Sequence, residues 1–514
     1  MIYGKTFKQN SVFHELERAE ESMLDSLKIV LRDLGAIMII IGFVTLAVLI
    51  VPIIFGEYYA IKPLLITVVA YFGLGVPFYA ACKNAGETQL KHAMSSAAFG
   101  WILLSLVGAI PFLFMSEHGL TVGMDPLSAV FESVAGWTGT GLTMVVHENN
   151  LPYTLQFWRT VIQWVGGVGV IVLTLAILAR PGTGSFTLYK SEGREQKIQP
   201  SIVSTVRTIW WIFLLYTIVG IAALYIVGAV TGHGMNLWAA VNHCMTGIAT
   251  GGFSVTDDSI ASYGVATQIV VIILMILGAI AFMAHYDLLK GRIKRFFSDA
   301  QTQALFILII LGAVALTFVN LPTYGGNLLR TIKLSGFQFI SAITCTGFAT
   351  VDLAQWGGAA KLILSFAMVV GGAAGSTAGG IKLFRAILLA KGTGWRIRKA
   401  LSTPRRVFVY KLGKKPLSAE EAFEEVNEAA IISFMWMILL FVGVLIIAYV
   451  IPQQPLDNVI FEVCSAQGNV GLTSGITSPN MPGIAKITLI FNMWIGRLEI
   501  IPILVLIKTF IGRD

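Results

Sequence analysis

The sequence predicts an all-α integral membrane protein of ten spans, in which two extra N-terminal helices precede four copies of one span–short helix–span unit. Three observations carry this. Of the 514 residues, 56% are hydrophobic and only 12% charged, about half the charge of a soluble chain. Ten apolar runs recur along the chain. Between alternate runs lie four shorter apolar stretches, each followed by a glycine-containing loop.

The ten runs cover residues 33–54, 61–82, 95–115, 157–180, 206–230, 266–289, 302–320, 359–390, 428–451 and 484–508. Each is near or above the ~20 residues that cross ~30 Å of hydrocarbon. The preceding Met1 to Arg32 stretch is polar, charged and expected to be partly helical, and the first apolar run is too long for a secretory signal. The division that follows is 1–92 for an N-terminal cytoplasmic segment and the extra pair of helices, then 93–182, 183–298, 299–415 and 416–514 for the four repeats. The third repeat includes an intramembrane loop and a basic cytoplasmic loop.

The net charge of +8 is concentrated in alternate connections. Lys83 and Lys91 follow the second run, Lys190, Arg194 and Lys197 the fourth, and Lys290, Arg292, Lys294 and Arg295 the sixth. Nine Lys and Arg residues lie between Lys391 and Lys415, whereas 116–158 and 231–265 contain none. This alternation is a topology signature rather than a nucleic-acid footprint, and it puts both termini in the cytoplasm of a cytoplasmic (inner) membrane protein. Cys82, Cys244, Cys345 and Cys464 lie in or beside apolar runs without a CxxC pair, so they read as small buried hydrophobes. His118, His147, His233, His243 and His285 lack metal-ligand spacing, and no P-loop, HExxH or GxSxG constellation stands in a suitable context; an enzyme is not expected.

The four short stretches, Pro126–Trp137, Asn236–Ile248, Ile332–Ile343 and Leu456–Gln467, would span ~18 Å as helices, too little to cross a bilayer. They end alike, in Thr138-Gly139-Thr140-Gly141, Thr250-Gly251-Gly252, Cys345-Thr346-Gly347 and Asn469-Val470-Gly471. Irregular backbone at membrane depth survives only where it lines a cavity or is buried in protein. Four copies in one chain therefore imply span–pore helix–span repeats arranged with pseudo-symmetry around a central pore. A cation entering such a pore loses water and needs oxygen dipoles, which a ring of backbone carbonyls supplies. Glycine permits the positive φ that turns those carbonyls inward. Each short helix would aim the negative end of its dipole at the centre. Glu132 and Glu462, within the first and fourth short helices, read as braces to loop amides, because a carboxylate in the path would hold cations too tightly.

This arrangement resembles the Trk/Ktr/HKT superfamily of potassium transporters, most closely the Trk-type membrane subunit with its extra N-terminal helix pair, and the resemblance runs from about residue 30 to the end. It implies K⁺ uptake through a gated, channel-like pore, with K⁺ held by backbone carbonyls and Gly141, Gly252, Gly347 and Gly471 as the selectivity-filter glycines. No organic cofactor is expected. It also implies a homodimer and a cytosolic nucleotide-binding, TrkA-like regulatory ring; the basic segment Lys391–Lys415 would suit an acidic partner or anionic lipid. Two departures, Thr-Gly-Thr-Gly at 138–141 and Gly-Gly-Phe at 251–253, bear on fine selectivity rather than on the fold. A secondary transporter coupled to H⁺ or Na⁺ is the alternative; it requires a titratable carboxylate exposed at the midplane.

Two further features lie below this filter. Residues 359–390 would make a ~46 Å helix, but Gly371, Gly372, Gly375, Ser376, Thr377, Gly379 and Gly380 interrupt it just before Lys382. Broken helices at the midplane mark ion paths or moving parts, and the resemblance implies a gate here, with Lys382 either part of the barrier or snorkelling to the inner boundary. Arg497 lies between Lys486 and Lys508, ~16 Å from either end of the last run. It needs a partner in the bundle interior: the ion path, or a buried pair with Glu499, Glu132 or Glu462. The Gly496–Glu499 run resembles the family's Gly-Arg-Leu-Glu motif, whose Arg lies below the filter.

Overall fold

The computed structural model describes residues 3–115, 124–169, 202–403, 409–412 and 415–511. It is helical almost throughout. Among the described residues six helices are long and apolar enough to cross a membrane: Leu24–Phe55, Tyr58–Cys82, Leu90–Met115, Ser204–Thr231, Ala300–Asn320 and Ala419–Val450. Two bent pairs, Val265–Ala279 with Phe282–Leu289 and Gly483–Arg497 with Ile501–Lys508, raise the number to eight if each is one span. Of the other two predicted runs, 157–180 extends beyond the described residues, and 359–390 is divided into Gly358–Val370 and Leu383–Ala400. The cluster Lys190, Arg194 and Lys197 also lies outside the described residues.

The two N-terminal helices pack closely because glycines meet between them: a methyl group on Gly35 would lie 2.7 Å from the Gly75 carbonyl oxygen and 2.5 Å from the Tyr79 nitrogen. Small residues replace the hydrophobic effect as the adhesive between helices in lipid. Large side chains such as Phe43, Ile50, Ile310 and Tyr449 are exposed on the long helices, as a lipid-facing surface requires.

The four half-length helices have the opposite character. They span Pro126–Thr138, Leu237–Ile248, Leu328–Ile343 and Leu456–Gln467. Their C-terminal halves are buried, polar side chains included: Glu132 and Ser133, His243 and Thr246, Ser341, and Glu462 and Ser465. Asp125, Asn236 and Asn327 cap the first three at their N-termini, satisfying amides that no preceding turn can take.

Two helices expected to be continuous are not. The bends between Val265–Ala279 and Phe282–Leu289 and between Gly483–Arg497 and Ile501–Lys508 are 109° and 106°. Ile280 and Ala281 are extended at the first break; at the second, Glu499 and Ile500 have φ of 54° and 74°. The cause at the first is close approach: a methyl group on Gly278 would lie 2.6 Å from the Ile248 carbonyl oxygen, so this helix runs directly under a half-helix end. At the second, Pro502 is the second residue of the following helix, in the first turn, where its missing N–H is tolerated. Among the described residues, one two-stranded sheet qualifies the all-α expectation. Tyr410–Leu412 pairs antiparallel with Lys415–Leu417, and Tyr410 packs edge-on against Trp395 and Phe423, a small aromatic nucleus away from the bundle.

Candidate functional site

The four half-helices end in loops with one shared backbone. Gly141, Gly252, Gly347 and Gly471 have φ of 77°, 78°, 88° and 102°; two residues earlier, Gly139, Thr250, Cys345 and Asn469 have φ of 68°, 50°, 55° and 53°. Thr140, Gly251, Thr346 and Val470 each donate their amide to the carbonyl five residues back, at 2.8, 2.8, 2.9 and 2.9 Å. This pattern ties off the last turn of each half-helix with the orphan carbonyls that a helix C-terminus leaves.

The loops meet in sequence order and close on themselves. A methyl group on Gly141 would lie 2.2 Å from the Gly251 carbonyl oxygen, one on Gly252 2.0 Å from Thr346 O, one on Gly347 2.0 Å from Val470 O, and one on Gly471 2.3 Å from Thr140 O. Each glycine thus abuts the carbonyl preceding the next glycine. No larger residue fits, by space and by φ together.

Behind this ring, each half-helix turns a buried polar side chain, nine residues before the ring glycine, onto its own descending strand. Glu132 accepts from the Met144 amide at 2.7 Å and from the Thr143 hydroxyl at 3.0 Å. His243 reaches Ser254 Oγ at 2.9 Å, and Gln338 donates to Thr350 Oγ1 at 3.2 Å. Glu462 accepts from the Ser474 amide and hydroxyl, the Thr473 hydroxyl, and the Thr477 amide and hydroxyl. All four stand nine residues before the ring glycine. The two carboxylates brace the loops, as their sequence positions suggest; His243 and Gln338 do the same, which their identities alone did not reveal. Thr138 pairs with Thr140 at 2.7 Å, Thr344 with Thr346 at 2.8 Å, and Asn469 Nδ2 donates to Thr140 Oγ1 at 2.9 Å.

Arg159, buried and missed by the sequence reading, also belongs here. It donates to Glu132 Oε1 at 2.8 Å and to Ser254 O at 2.8 Å, and its guanidinium lies 4.1 Å from the centre of the Phe253 ring. It joins the first loop to the second.

Beneath the ring lies the segment Gly371–Lys382, folded as a loop with positive φ at Gly371, Gly375, Gly380 and Lys382. Gly379 packs on the end of the fourth half-helix: a methyl group there would lie 2.0 Å from Gly468 O. Gly372 faces the Ala378 methyl. Thr250 donates its hydroxyl to Thr377 Oγ1 at 3.0 Å, and Thr377 Oγ1 in turn reaches Gly278 O at 2.9 Å. Ala373 N donates to Ala279 O at 2.9 Å, Thr377 N to Gly278 O at 3.1 Å and Phe282 N to Gly375 O at 3.0 Å. The loop therefore satisfies the groups freed by the bend at 280–281, and the bend satisfies the loop, as buried irregular backbone requires. Ser376 turns back on Ala373 O at 2.6 Å.

Arg497 ends its helix and donates to the carbonyls of Gly166, Gly167 and Thr377. Its guanidinium lies 5.4 Å from the centre of a Trp101 ring. A cation at the last carbonyls of a helix meets the negative end of the dipole, so its partners are backbone oxygens. The carboxylates proposed as alternatives are engaged elsewhere: Glu132 with Arg159, Glu462 with its five donors, and Glu499 with Arg385 at 2.5 Å and Lys382 at 3.9 Å. Lys382 also donates to Ala378 O; it folds back over the loop instead of extending to water.

Comparison with known proteins identifies the family and the fold. The family model TrkH, cation transport protein, matches residues 62–511. The chain is 34% identical to an uncharacterized cation transporter of Methanocaldococcus jannaschii over 93% of this chain and 95% of that one. It is 33% identical to the Trk system potassium uptake protein TrkH of Escherichia coli K12 over 84% of this chain and 88% of that one. The crystal structure of the potassium transporter TrkH from Vibrio parahaemolyticus superposes with a TM-score of 0.79 at 25% identity, covering 95% of this chain and all of that one. The chain belongs to the TrkH family of cation transport proteins.

Proposed function

We propose that this protein takes up potassium across the cytoplasmic membrane through a gated, channel-like pore of four pseudo-symmetric repeats and ten spans, with both termini in the cytoplasm. The filter is the ring of loops, with K⁺ held by the carbonyls of Thr138, Gly139, Thr140, Gly141, Thr250, Gly251, Gly252, Cys345, Thr346, Gly347, Asn469, Val470 and Gly471. One observation carries the reading: four glycines of positive φ, each pressed against the carbonyl of the next loop in a closed cycle. Such a ring replaces the water of a cation without a fixed negative charge that would prevent its release. Potassium as the ion is supported by the names of the relatives, which are potassium uptake proteins.

The gate is the loop Gly371–Lys382, held by Arg497. A fixed guanidinium below the filter lowers cation occupancy there, and the loop obstructs the path; both are drawn away together when Arg497 releases Thr377. The protein works as a homodimer, with a cytosolic nucleotide-binding ring docked against the basic segment 391–415. A transporter coupled to H⁺ or Na⁺ would need a carboxylate free to titrate at depth; Glu132, Glu462 and Glu499 are each held by several donors or cations.

The test is ⁸⁶Rb⁺ uptake into liposomes with and without competing Na⁺, for the unaltered protein and Gly347→Ser. The substitution should lower the preference for Rb⁺; an unchanged preference removes the filter assignment. A reversal potential that follows pH rather than K⁺ would favour the coupled transporter.

A further inference from the structure

The second loop differs from the other three at one place. The residue before the ring glycine is Thr140, Thr346 or Val470 in loops one, three and four, but Gly251 in loop two. The backbone does not ask for glycine there, since Gly251 is not among the residues of positive φ. Space does. The position of a methyl group on Gly251 is taken by the amide of Gln163, whose Oε1, Cδ and Nε2 would lie 2.5, 2.6 and 3.0 Å from it.

Gln163 comes from the neighbouring unit, on the helix Tyr153–Val168 that follows the first loop, and it is fully buried. Both ends of its amide are used. Nε2 donates to the Gly251 carbonyl at 2.7 Å, and Oε1 accepts from the Phe253 amide at 2.9 Å. The side chain therefore brackets Gly252 from both sides in sequence. The Gly251 carbonyl is also the oxygen against which Gly141 packs, so it belongs to the ring. Among the described residues no hydrogen bond is found to the corresponding carbonyls of Thr140, Thr346 and Val470.

Resting on the filter reading above, we propose that Gln163 is a positioning residue for ion selection: it supplies the side-chain wall that loop two lacks and sets the direction of the Gly251 carbonyl. A carbonyl oxygen has two lone pairs. One is fixed by Gln163, and the other remains for the ion, so this corner of the ring is stiffer and a weaker donor than the other three. Unit one thus controls the ring position of unit two, and the extra glycine in Gly251-Gly252-Phe253 is the space that this control requires.

The experiment uses the full chain in liposomes, reading ⁸⁶Rb⁺ uptake and its competition by Na⁺. Gln163→Met keeps the bulk and removes both hydrogen bonds. It should lower the Rb⁺-over-Na⁺ preference by about tenfold, the worth of one lost hydrogen bond. A side chain that only fills space predicts no change in the ratio, and that result overturns the proposal. Gly251→Thr alone should lose uptake through collision with Gln163. Gln163→Ala combined with Gly251→Thr moves the wall onto the loop, as in loops one and three, and should recover uptake and most of the preference; a double variant no better than Gly251→Thr overturns the proposal even if Gln163→Met fails to insert. Gly347→Ser measured alongside separates the two readings. If it changes the ratio and Gln163→Met does not, only the role of Gln163 fails; if neither does, the filter itself fails.

Discussion

The ring of loops and the region beneath it treat the four units differently. Around the ring they are near copies: the same φ signs, the same amide-to-carbonyl bond five residues back, and a buried polar brace at the same register. Below the ring they diverge. The helix after the first loop is described to Gly169, and its Gly166 and Gly167 carbonyls accept from Arg497. The second unit bends at 280–281 and the fourth at 498–500; the third opens into the twelve-residue segment Gly371–Lys382. Binding an ion between four loops demands matched oxygens. On the proposed reading, obstructing the same axis needs only one unit to reach across it, and the bend at 280–281 exchanges hydrogen bonds with that unit. Under the proposed function, symmetry is held where ions would be chosen and given up where flow would be stopped.

The braces offer the largest effect with which to break this comparison. Glu132 and Glu462 occupy the same register, but Glu132 is bonded to buried Arg159 whereas Glu462 is bonded to hydroxyls and amides. Glu132→Gln strips a buried guanidinium of its bonded carboxylate and should cost about 3–5 kcal/mol. Glu462→Gln strands no cation and should cost about 1.5–3 kcal/mol. Thermal unfolding in detergent reads both; equal losses would mean that Arg159 is neutralised by other groups. Next in size are the ring glycines. Gly141→Ala and Gly471→Ala drive a methyl group to within 2.2 and 2.3 Å of a neighbouring carbonyl oxygen. Overpacking of about 1–3 kcal/mol corresponds to about a five- to 150-fold fall in ⁸⁶Rb⁺ uptake. The two variants should fall alike if the ring is one device; a large difference between them would break its equivalence.

How much of this was legible in the sequence follows the same division. The half-helices were legible because length and apolarity mark them: Leu456–Gln467 was placed to the residue, and Pro126–Trp137 to within one. Positions of positive φ were legible where they fall on glycine and hidden where they fall on Thr250, Cys345 and Asn469, which tolerate it only because the ring holds them. The bend at 280–281 was hidden because Ile and Ala carry no helix-breaking mark and its cause lies in contacts from a distant segment; the bend at 498–500 had a mark in Pro502, which the apolarity of the run 484–508 outweighed. Arg159 and Gln163 looked like ordinary polar residues in an apolar run. Their partners, Ser254, Gly251 and Phe253, lie some ninety residues further along, beyond any local pattern. The one available hint was the doubled glycine at 251–252, which marks a missing side chain without saying what replaces it.

The region beneath the ring yields a smaller effect. Thr377 links three units through one residue: its hydroxyl meets Thr250, Ile248 O and Gly278 O, and its carbonyl accepts from Arg497. Thr377→Val keeps the shape and removes the hydroxyl. If the loop Gly371–Lys382 is the proposed barrier, losing about 1 kcal/mol of hold on it should raise basal ⁸⁶Rb⁺ flux about fivefold, and Arg497→Ala should move it in the same direction. Reduced flux from correctly inserted Thr377→Val would make the loop a support for the filter instead of a barrier, and the functional contrast between the two regions would disappear.

A pH-dependent effect sharpens the ring side of the comparison. Glu148, in the turn Glu148–Asn150 on the loop side of Arg159, is buried. Burial pushes its carboxyl up to about 7 from 4.5, with Arg159 working against that shift and Glu132 and Asp257 adding to it. A carboxyl raised in the folded state gives stability that is full below its unfolded value and is lost as pH rises through the folded one. The protein should therefore unfold at progressively lower temperature between about pH 4.5 and pH 7.5. Glu148→Gln removes the titrating proton while keeping the shape, so it should stabilise the protein by about 1–3 kcal/mol at pH 8 and have almost no effect at pH 4.5. If the stabilisation were the same at both pH values, Glu148 would be ionised throughout and would share Arg159 with Glu132. The Arg159 charge would then be divided between two carboxylates, and the predicted gap between Glu132→Gln and Glu462→Gln should narrow by the same amount.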